Sequence, residues 1–317
     1  MLPGIGLSMP RVNYISFQTE QSSAISEANI LCLGNFDGVH FAHRTLLREA
    51  KRLQAEKMPL AKCGVLCFER PSADFLSSTP PKHLTTLKQK LKYFADEGMD
   101  FAVVVDFEAL QALSPEEFVK DVLINECACK AAVCGYNYRF GKCGAGTPET
   151  LKKLLAPQPV IAISPVYLQG DTVSSTRIRA LLEKGKIKEA NALLTTPFSI
   201  TAPVEHGKAL GRRLGTPTFN QTFPDEMLIP ARGVYLTRCS FDGASYFGVT
   251  NIGIRPTVDA DATLNAETHL LDFEGDLYQK EIPVEFLDFI RPEQQFASIE
   301  ALQKQIQEDI KAARERI

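Results

Sequence analysis

Gly34-Asn35-Phe36-Asp37-Gly38-Val39-His40-Phe41-Ala42-His43 stands between an apolar run, Ile30–Leu33, and a stretch where Leu46, Leu47, Ala50 and Leu53 recur at helical spacing. A buried strand, a glycine-bearing turn and an amphipathic helix form the opening unit of a parallel α/β sheet. The glycines let backbone approach a ligand closely. The helix start offers free N–H groups and positive potential, both suited to phosphate. His40 and His43 are three apart and face the same way on a first helical turn. Two imidazoles there can donate to a phosphate as charge grows in a displacement at phosphorus. The plainer alternative is one capping and one solvated histidine. A zinc site lacks matching third and fourth ligands nearby.

The same rhythm continues outward. Cys63–Phe68, Phe101–Val105, Ala131–Cys134 and Val160–Ile163 read as further buried strands. Leu87, Leu91 and Phe94 mark a helix that Gly98 stops. Ser114-Pro115-Glu116-Glu117 spells an N-cap, a first-turn proline and a capping box, and Thr147-Pro148 opens another helix. Ligands of such sheets bind beyond the carboxyl ends of the strands, where the loops after Leu33 and Cys134 lie. Val173-Ser174-Ser175-Thr176-Arg177-Ile178-Arg179 follows the last strand and joins hydroxyls at a helix start to a guanidinium, a phosphate grip. An ordinary hydroxyl cap with exposed arginines is the plainer reading of that string.

The pattern changes after Leu194, with Thr195-Thr196-Pro197 as linker, so the expected domains are 1–194 and 195–317. Val234–Ser240 and Ser245–Asn251 flank Asp242-Gly243, a hairpin signal. His269–Phe273 and Ile282–Phe289 are expected strands, and Ile299, Leu302, Ile306 and Ile310 are expected on one face of a closing helix. Short antiparallel strands with one helix suggest a small closed or half-closed barrel. The fold class is therefore α/β then β.

Early in this half, His206–Gly215 is a basic, glycine-bearing loop, and Gly207–Gly215 has the composition of a mobile lid. Its glycines let backbone donors converge on phosphate. It runs into Thr216-Pro217-Thr218-Phe219-Asn220, where a hydroxyl and a carboxamide two apart face the same side of a strand. Together they suit magnesium and nucleotide phosphates. Glu267 near such a site can accept a proton from an attacking hydroxyl. An exposed strand-edge acid is the alternative for Glu267, and a packing residue is the alternative for His269.

Composition bounds the rest. The chain has 317 residues, 44% hydrophobic, which suffices for two cores, and its net charge of −3 argues against a nucleic-acid partner. No apolar run approaches a membrane span, and Met1–Ile15 does not read as a signal peptide. The eight scattered cysteines suit a reducing cytoplasm. Cys127, Cys129, Cys134 and Cys143 lack metal-ligand spacing, and Cys143 is expected to be exposed. The expected partners are small molecules, with no membrane, and the chain a monomer or weak homo-oligomer.

Taken together, these strings resemble the bacterial bifunctional riboflavin kinase/FAD synthetase family over nearly the whole chain. Gly34–His43, Leu84-Thr85-Thr86, Leu113–Val122, Gly135–Gly141 and Val173–Arg179 are similar to its adenylyltransferase half. The resemblance implies a Rossmann-like nucleotidylyltransferase domain in which FMN attacks the α-phosphate of ATP to give FAD and pyrophosphate. It implies phosphate stabilisation by His40 and His43, positioning by Asn137, and ATP binding through Gly34, Asn35, Asp37, Ser175, Thr176 and Arg177. Gly211–Asn220, Pro230–Tyr235, Asn251–Thr257, Glu267–Phe273 and Gly275–Tyr278 resemble the riboflavin kinase half. They imply a six-stranded flavokinase barrel, with Gly211, Arg212, Gly215, Thr218 and Asn220 on Mg-ATP, Thr218 and Asn220 at the metal, and Glu267 as general base. Riboflavin, FMN and FAD are then substrates and products. This chain departs from the family at Ala42, usually glycine, and after Phe68-Glu69, where Arg70-Pro71-Ser72 replaces Pro-His-Pro. Those departures motivate an alternative, a kinase whose first half only binds flavin or nucleotide and regulates.

Overall fold

The structure, a computed structural model, describes residues 11–14, 28–70, 73–205, 216–255 and 263–317. The chain divides into two compact units, Met1–Ser174 and Ser175–Ile317.

The first unit is a parallel sheet of β1 (Arg11–Tyr14), β2 (Asn29–Leu33), β3 (Lys62–Phe68), β4 (Phe101–Val105), β5 (Cys129–Gly135) and β6 (Val160–Ile163), in the order β1-β4-β3-β2-β5-β6. Successive residues of a strand point to opposite faces, so β2 to β6 each feed two cores. Ile30, Cys32, Val65, Ala102 and Val133 face one core, with Leu47, Ala50 and Phe94 from α1 (Phe41–Lys57) and α3 (Leu87–Asp96). Leu31, Leu33, Leu66, Val103 and Ala132 face the other, with Phe118, Val122 and Leu151. Burial on both faces explains why these strands read as unbroken apolar runs. Gly64 is required by packing, because a Cβ there would collide with the Phe101 ring.

The caps expected at Ser114 and Thr147 form, Ser114 closing a capping box and Thr147 capping α6 (Pro148–Leu155), and Thr86 closes a further capping box. Between α1 and α3 stands the short α2 (Ala73–Leu76), and α4 (Phe107–Leu110) and α5 (Pro115–Glu117) follow. The chain after α5 then widens into a π-helix over Phe118–Glu126, which the apolar spacing does not announce. A small hairpin of β7 (Tyr167–Leu168) and β8 (Asp171–Thr172) ends the unit.

The second unit begins with α7 (Ser175–Glu183) and α8 (Ile187–Leu194). Asn191 of α8 donates to the Phe286 carbonyl and accepts from the Phe198 N–H, both at 2.8 Å, which fixes α8 on the strands that follow it. Packing thus changes partner at Ser174/Ser175, while the change from helical to strand rhythm lies at Leu194/Thr195.

The strands are β9 (Phe198–Pro203), β10 (Phe219–Thr222), β11 (Gly233–Phe241), β12 (Ala244–Arg255), β13 (Thr263–Leu270) and β14 (Glu281–Pro292), antiparallel in the order β10-β13-β12-β11-β14-β9. The sheet curls until its ends approach. Glu205 and Asn220 form a bridge, and Gln221 donates to the carbonyls of Ala202 and Ile282 at 2.6 and 2.8 Å. Asp242 and Gly243, both at positive φ, form the two-residue hairpin turn. Inside the curl a threonine ladder, Thr237–Thr250–Thr268, links three strands through hydroxyl contacts of 2.8 and 2.9 Å beside the buried Tyr235 and Phe286.

Two local expectations are corrected. The strand expected at His269–Phe273 is β13 and stops at Leu270, because Asp272 takes a left-handed φ of 57° that a ladder cannot continue. On the closing helix α9 (Ile299–Arg314), Ile299 is 58% exposed at the first turn, whereas Leu302, Ile306 and Ile310 turn toward the sheet.

Candidate active sites

In the first unit the strand order reverses between β2 and β5. Chain from β2 proceeds to one side through β3 and β4, and β5 and β6 extend the other. A crevice opens at such a reversal beyond the carboxyl ends. The loops after β2 and β5 flank it.

The β2 loop is held rigidly. Phe36, Gly38 and Val39 have φ of 52°, 83° and 35°. A side-chain-bearing residue there is strained, and full burial of the Phe36 and Val39 side chains holds the shape. Asp37, sought in the sequence as a phosphate contact, is buried. Its carboxylate accepts from the N–H groups of Leu84 and Thr85 at 3.0 and 3.2 Å, and Thr85 Oγ1 accepts from the Gly38 N–H at 2.9 Å. Asp37 therefore fastens the loop to the Leu84–Thr86 segment.

His40 is the N-cap of α1, and its Nδ1 accepts from the His43 N–H at 3.4 Å. A neutral His40 ring then carries its proton on Nε2, a donor. The His40 and His43 rings stack at 3.7 Å with an 11° tilt, and Phe36 flanks His43 at 5.1 Å. Burial, then the adjacent His40, then Lys90 hold His43 well below the ordinary imidazole range. The His43 ring therefore resists charging in this setting.

Asn137 lies exposed on the loop after β5, its Oδ1 folded back toward Gly135, where a Cβ would come within 3.2 Å. Gly34 and Asn35 open the β2 loop and are partly exposed. Ser175, Thr176 and Arg177 form the first turn of α7, with Thr176 exposed and the other two partly so. Ala42 is partly exposed beside His43. Beyond β3, the Arg70 guanidinium covers the Phe75 ring at 4.5 Å, and His83 contacts Asp74 at 2.9 Å. Pro71 and Ser72 lie outside the described residues.

Of the eight free thiols, seven are buried and Cys143 is exposed, as its loop position suggests. Burial pushes Cys127, Cys129 and Cys239 up to about 12. They serve as core residues rather than nucleophiles.

In the second unit a cavity of about 290 Å³ lies between the outer face of the curled sheet and α9. Its sheet wall follows from register. Asn251 stands opposite Glu267, and Val249 opposite His269, so all four share one face. Asn220 stands opposite Glu267 on the other side, and its Oδ1 accepts from Asn265 at 2.9 Å. The Asn220–Glu267–Asn251 row thus crosses three adjacent strands. Thr216, Thr218 and Glu267 line the cavity, and Glu267 is exposed. Phe219, between Thr218 and Asn220, turns to the barrel interior opposite Thr268. A bulky residue there leaves the outer pair in place.

Sequence reasoning gave His269 no role, yet its Nδ1 lies 2.9 Å from the Pro217 carbonyl. A carbonyl only accepts, so that nitrogen is the donor, and the ring clamps the Thr216–Thr218 segment to the strand of Glu267. The far wall was also unforeseen. Leu302, Ile306 and Ile310 supply apolar surface, and Phe296, Glu293 and Gln294 stand at the same cavity. An aromatic or apolar ring system fits such a lining with a few polar groups at one end. Gly211, Arg212 and Gly215, the rest of the expected lid, and Pro256 and Thr257 lie outside the described residues.

Comparisons with known proteins agree with both halves. The FAD synthetase family matches residues 22–177 and the riboflavin kinase family residues 194–317. The bifunctional riboflavin kinase/FMN adenylyltransferase of Pseudomonas fluorescens is 37% identical over 288 residues, covering 90% of this chain and 92% of that protein. The Escherichia coli protein of the same description is 36% identical over 298 residues, covering 93% and 94%. That of Listeria monocytogenes is 33% identical over 284 residues, covering 88% and 90%. A crystal structure from Streptococcus pneumoniae, described as a macrolide-efflux protein, superposes with a TM-score of 0.83 at 29% identity, covering 91% of this chain and 94% of that one. Among the described residues here, no helix is long and apolar enough to cross a membrane. The relatives, the two family matches and the two-unit fold together place this chain in the bifunctional riboflavin kinase/FMN adenylyltransferase family.

Proposed function

We propose that the chain makes FMN from riboflavin and FAD from FMN, spending Mg-ATP in each step, with the kinase in residues 195–317 and the adenylyltransferase in 1–194. The observation that carries the kinase assignment is the cross-strand row Asn220–Glu267–Asn251 at a cavity with an apolar far wall. Riboflavin's ring system lies against Leu302 and Ile306, with its ribityl chain reaching Glu267. The Glu267 carboxylate accepts the 5′-hydroxyl proton as the oxygen bonds to the γ-phosphorus and the bond from that phosphorus to ADP breaks. The Thr218 hydroxyl and the Asn220 carbonyl are hard oxygen donors and suit the magnesium of Mg-ATP. His269 keeps the Thr218 segment in register with the base.

In the first unit a phosphate oxygen of FMN attacks the α-phosphorus of ATP, and the bond to pyrophosphate breaks. His40, through Nε2–H, and His43 donate to the phosphates as charge develops, and Asn137 holds the reacting groups. Gly34, Asn35, Ser175, Thr176 and Arg177 bind the nucleotide, with Gly211, Arg212 and Gly215 serving ATP in the kinase. Asp37 contributes by fixing the loop. The reading of the first half as a binding module alone is not favoured, since the FAD synthetase family matches it over 22–177, and His40, His43 and Asn137 follow the two strands, β2 and β5, between which the strand order reverses. Eight free thiols and the need for ATP support a cytoplasmic enzyme.

Paired variants test the division of labour. Glu267→Gln stops FMN formation while added FMN is still converted to FAD, and His43→Ala does the reverse. FMN production by Glu267→Gln at the wild-type rate refutes the base assignment.

A further inference from the structure

Lys90 is the most anomalous buried group in the first unit. It lies on α3, is 2% exposed, and its ammonium donates to one acceptor, the Phe68 carbonyl at 3.0 Å. Among the described residues it has no anionic partner. A buried ammonium has three donors and a large desolvation cost, and proteins normally meet it with a carboxylate. Asp37, buried in the β2 loop, is engaged with the N–H groups of Leu84 and Thr85 just before the same helix.

The place of this charge is informative. Phe68 is the last residue of β3, so Lys90 reaches the carboxyl edge of the sheet. β3 neighbours β2, and the Gly34 N–H bonds the Leu66 carbonyl where the histidine loop begins. The charge is close enough to His43 to oppose its protonation. His43 in turn keeps a buried Nδ1 without a hydrogen-bond partner. An uncompensated cation and an unpartnered ring nitrogen at one strand edge describe a site completed by an anion from outside.

We propose that Lys90 is a built-in counter-charge of the adenylyl-transfer site, an ammonium with no carboxylate partner among the described residues, which the phosphates of the incoming nucleotide neutralise beside His40 and His43. The inference rests on the adenylyltransferase reading of this unit. It distinguishes Lys90 from a structural lysine, because replacing an uncompensated buried charge by an apolar side chain of similar length does not destabilise the fold.

The test uses the full-length chain with Lys90→Met and Lys90→Arg. Lys90→Met is expected to keep or raise the melting temperature, to leave FMN formation unchanged, and to lower kcat/KM for FAD formation by about tenfold or more. Lys90→Arg, which keeps the charge, recovers part of that loss. Inorganic pyrophosphate, added as probe, raises the melting temperature of the wild type more than that of Lys90→Met. The proposal is overturned if Lys90→Met makes FAD with kcat/KM within about twofold of the wild type, or if pyrophosphate shifts both proteins equally or neither. A lowered melting temperature with no rescue by Lys90→Arg overturns it too, in favour of a structural role. Should the wild type make no FAD, the adenylyltransferase reading fails by itself, and the pyrophosphate comparison still decides the role of Lys90.

Discussion

Arg291 of β14 and Asp309 of α9 form a two-pronged ion pair, Nε to Oδ1 at 2.8 Å and Nη2 to Oδ2 at 2.7 Å, with both side chains largely buried. Gln305 adds a third contact to Asp309 at 3.1 Å. The pair fastens the closing helix to the sheet at the cavity that the helix helps to line. The far wall of the proposed kinase site is therefore set by one charge pair as well as by apolar packing.

Asp309→Asn leaves the Arg291 guanidinium without its charge partner in a partly buried place. It is expected to cost about 2 kcal/mol of stability, discounted for the water that still reaches Arg291, and to raise KM for riboflavin more than KM for ATP. Denaturant titration and steady-state kinetics check both. An unchanged riboflavin KM would show that the pair does not shape the wall.

Stability should depend on pH through His43. Its folded value is depressed below the ordinary 6.5, so the unfolded chain binds the proton more readily. Below about pH 6.5 the folded state therefore loses up to about 1.4 kcal/mol per pH unit from this group, until the depressed value is reached; above 6.5 the contribution is full. Denaturant midpoints at pH 7.5 and 5.5 should differ more for the wild type than for His43→Asn. Equal differences would contradict the assignment.

Asp37→Ala removes the acceptor shared by Leu84 and Thr85. About 3 kcal/mol of stability should be lost, and FAD formation should fall because the loop carrying His40 loosens. FMN formation by the same protein serves as control. If FAD formation were untouched, Asp37 would not hold the site.

The sheet of the first unit was legible because strands β2 to β5 are buried on both faces and its helices carry ordinary caps at Ser114 and Thr147. β1 was not, since its partner, β4, lies some ninety positions onward in the chain and nothing local marks the pairing. The π-helix escaped because its apolar residues also fit a normal helix. At the proposed sites, His40, His43 and Glu267 stood out in the sequence because the proposed chemistry needs a particular group at each. Lys90, His269 and Arg291 were not, because each acts through a partner distant in sequence: Phe68, Pro217 and Asp309. Asp37 was visible as a motif residue, but its structural engagement with Leu84 and Thr85 emerged only with the fold.

The most direct test of the central claim is chromatography of the products formed from riboflavin, ATP and magnesium by the purified full-length protein. The account predicts FMN first and FAD after it, with pyrophosphate released in step with FAD. FMN that accumulates with no FAD and no pyrophosphate would contradict it and leave the first unit as a binding module.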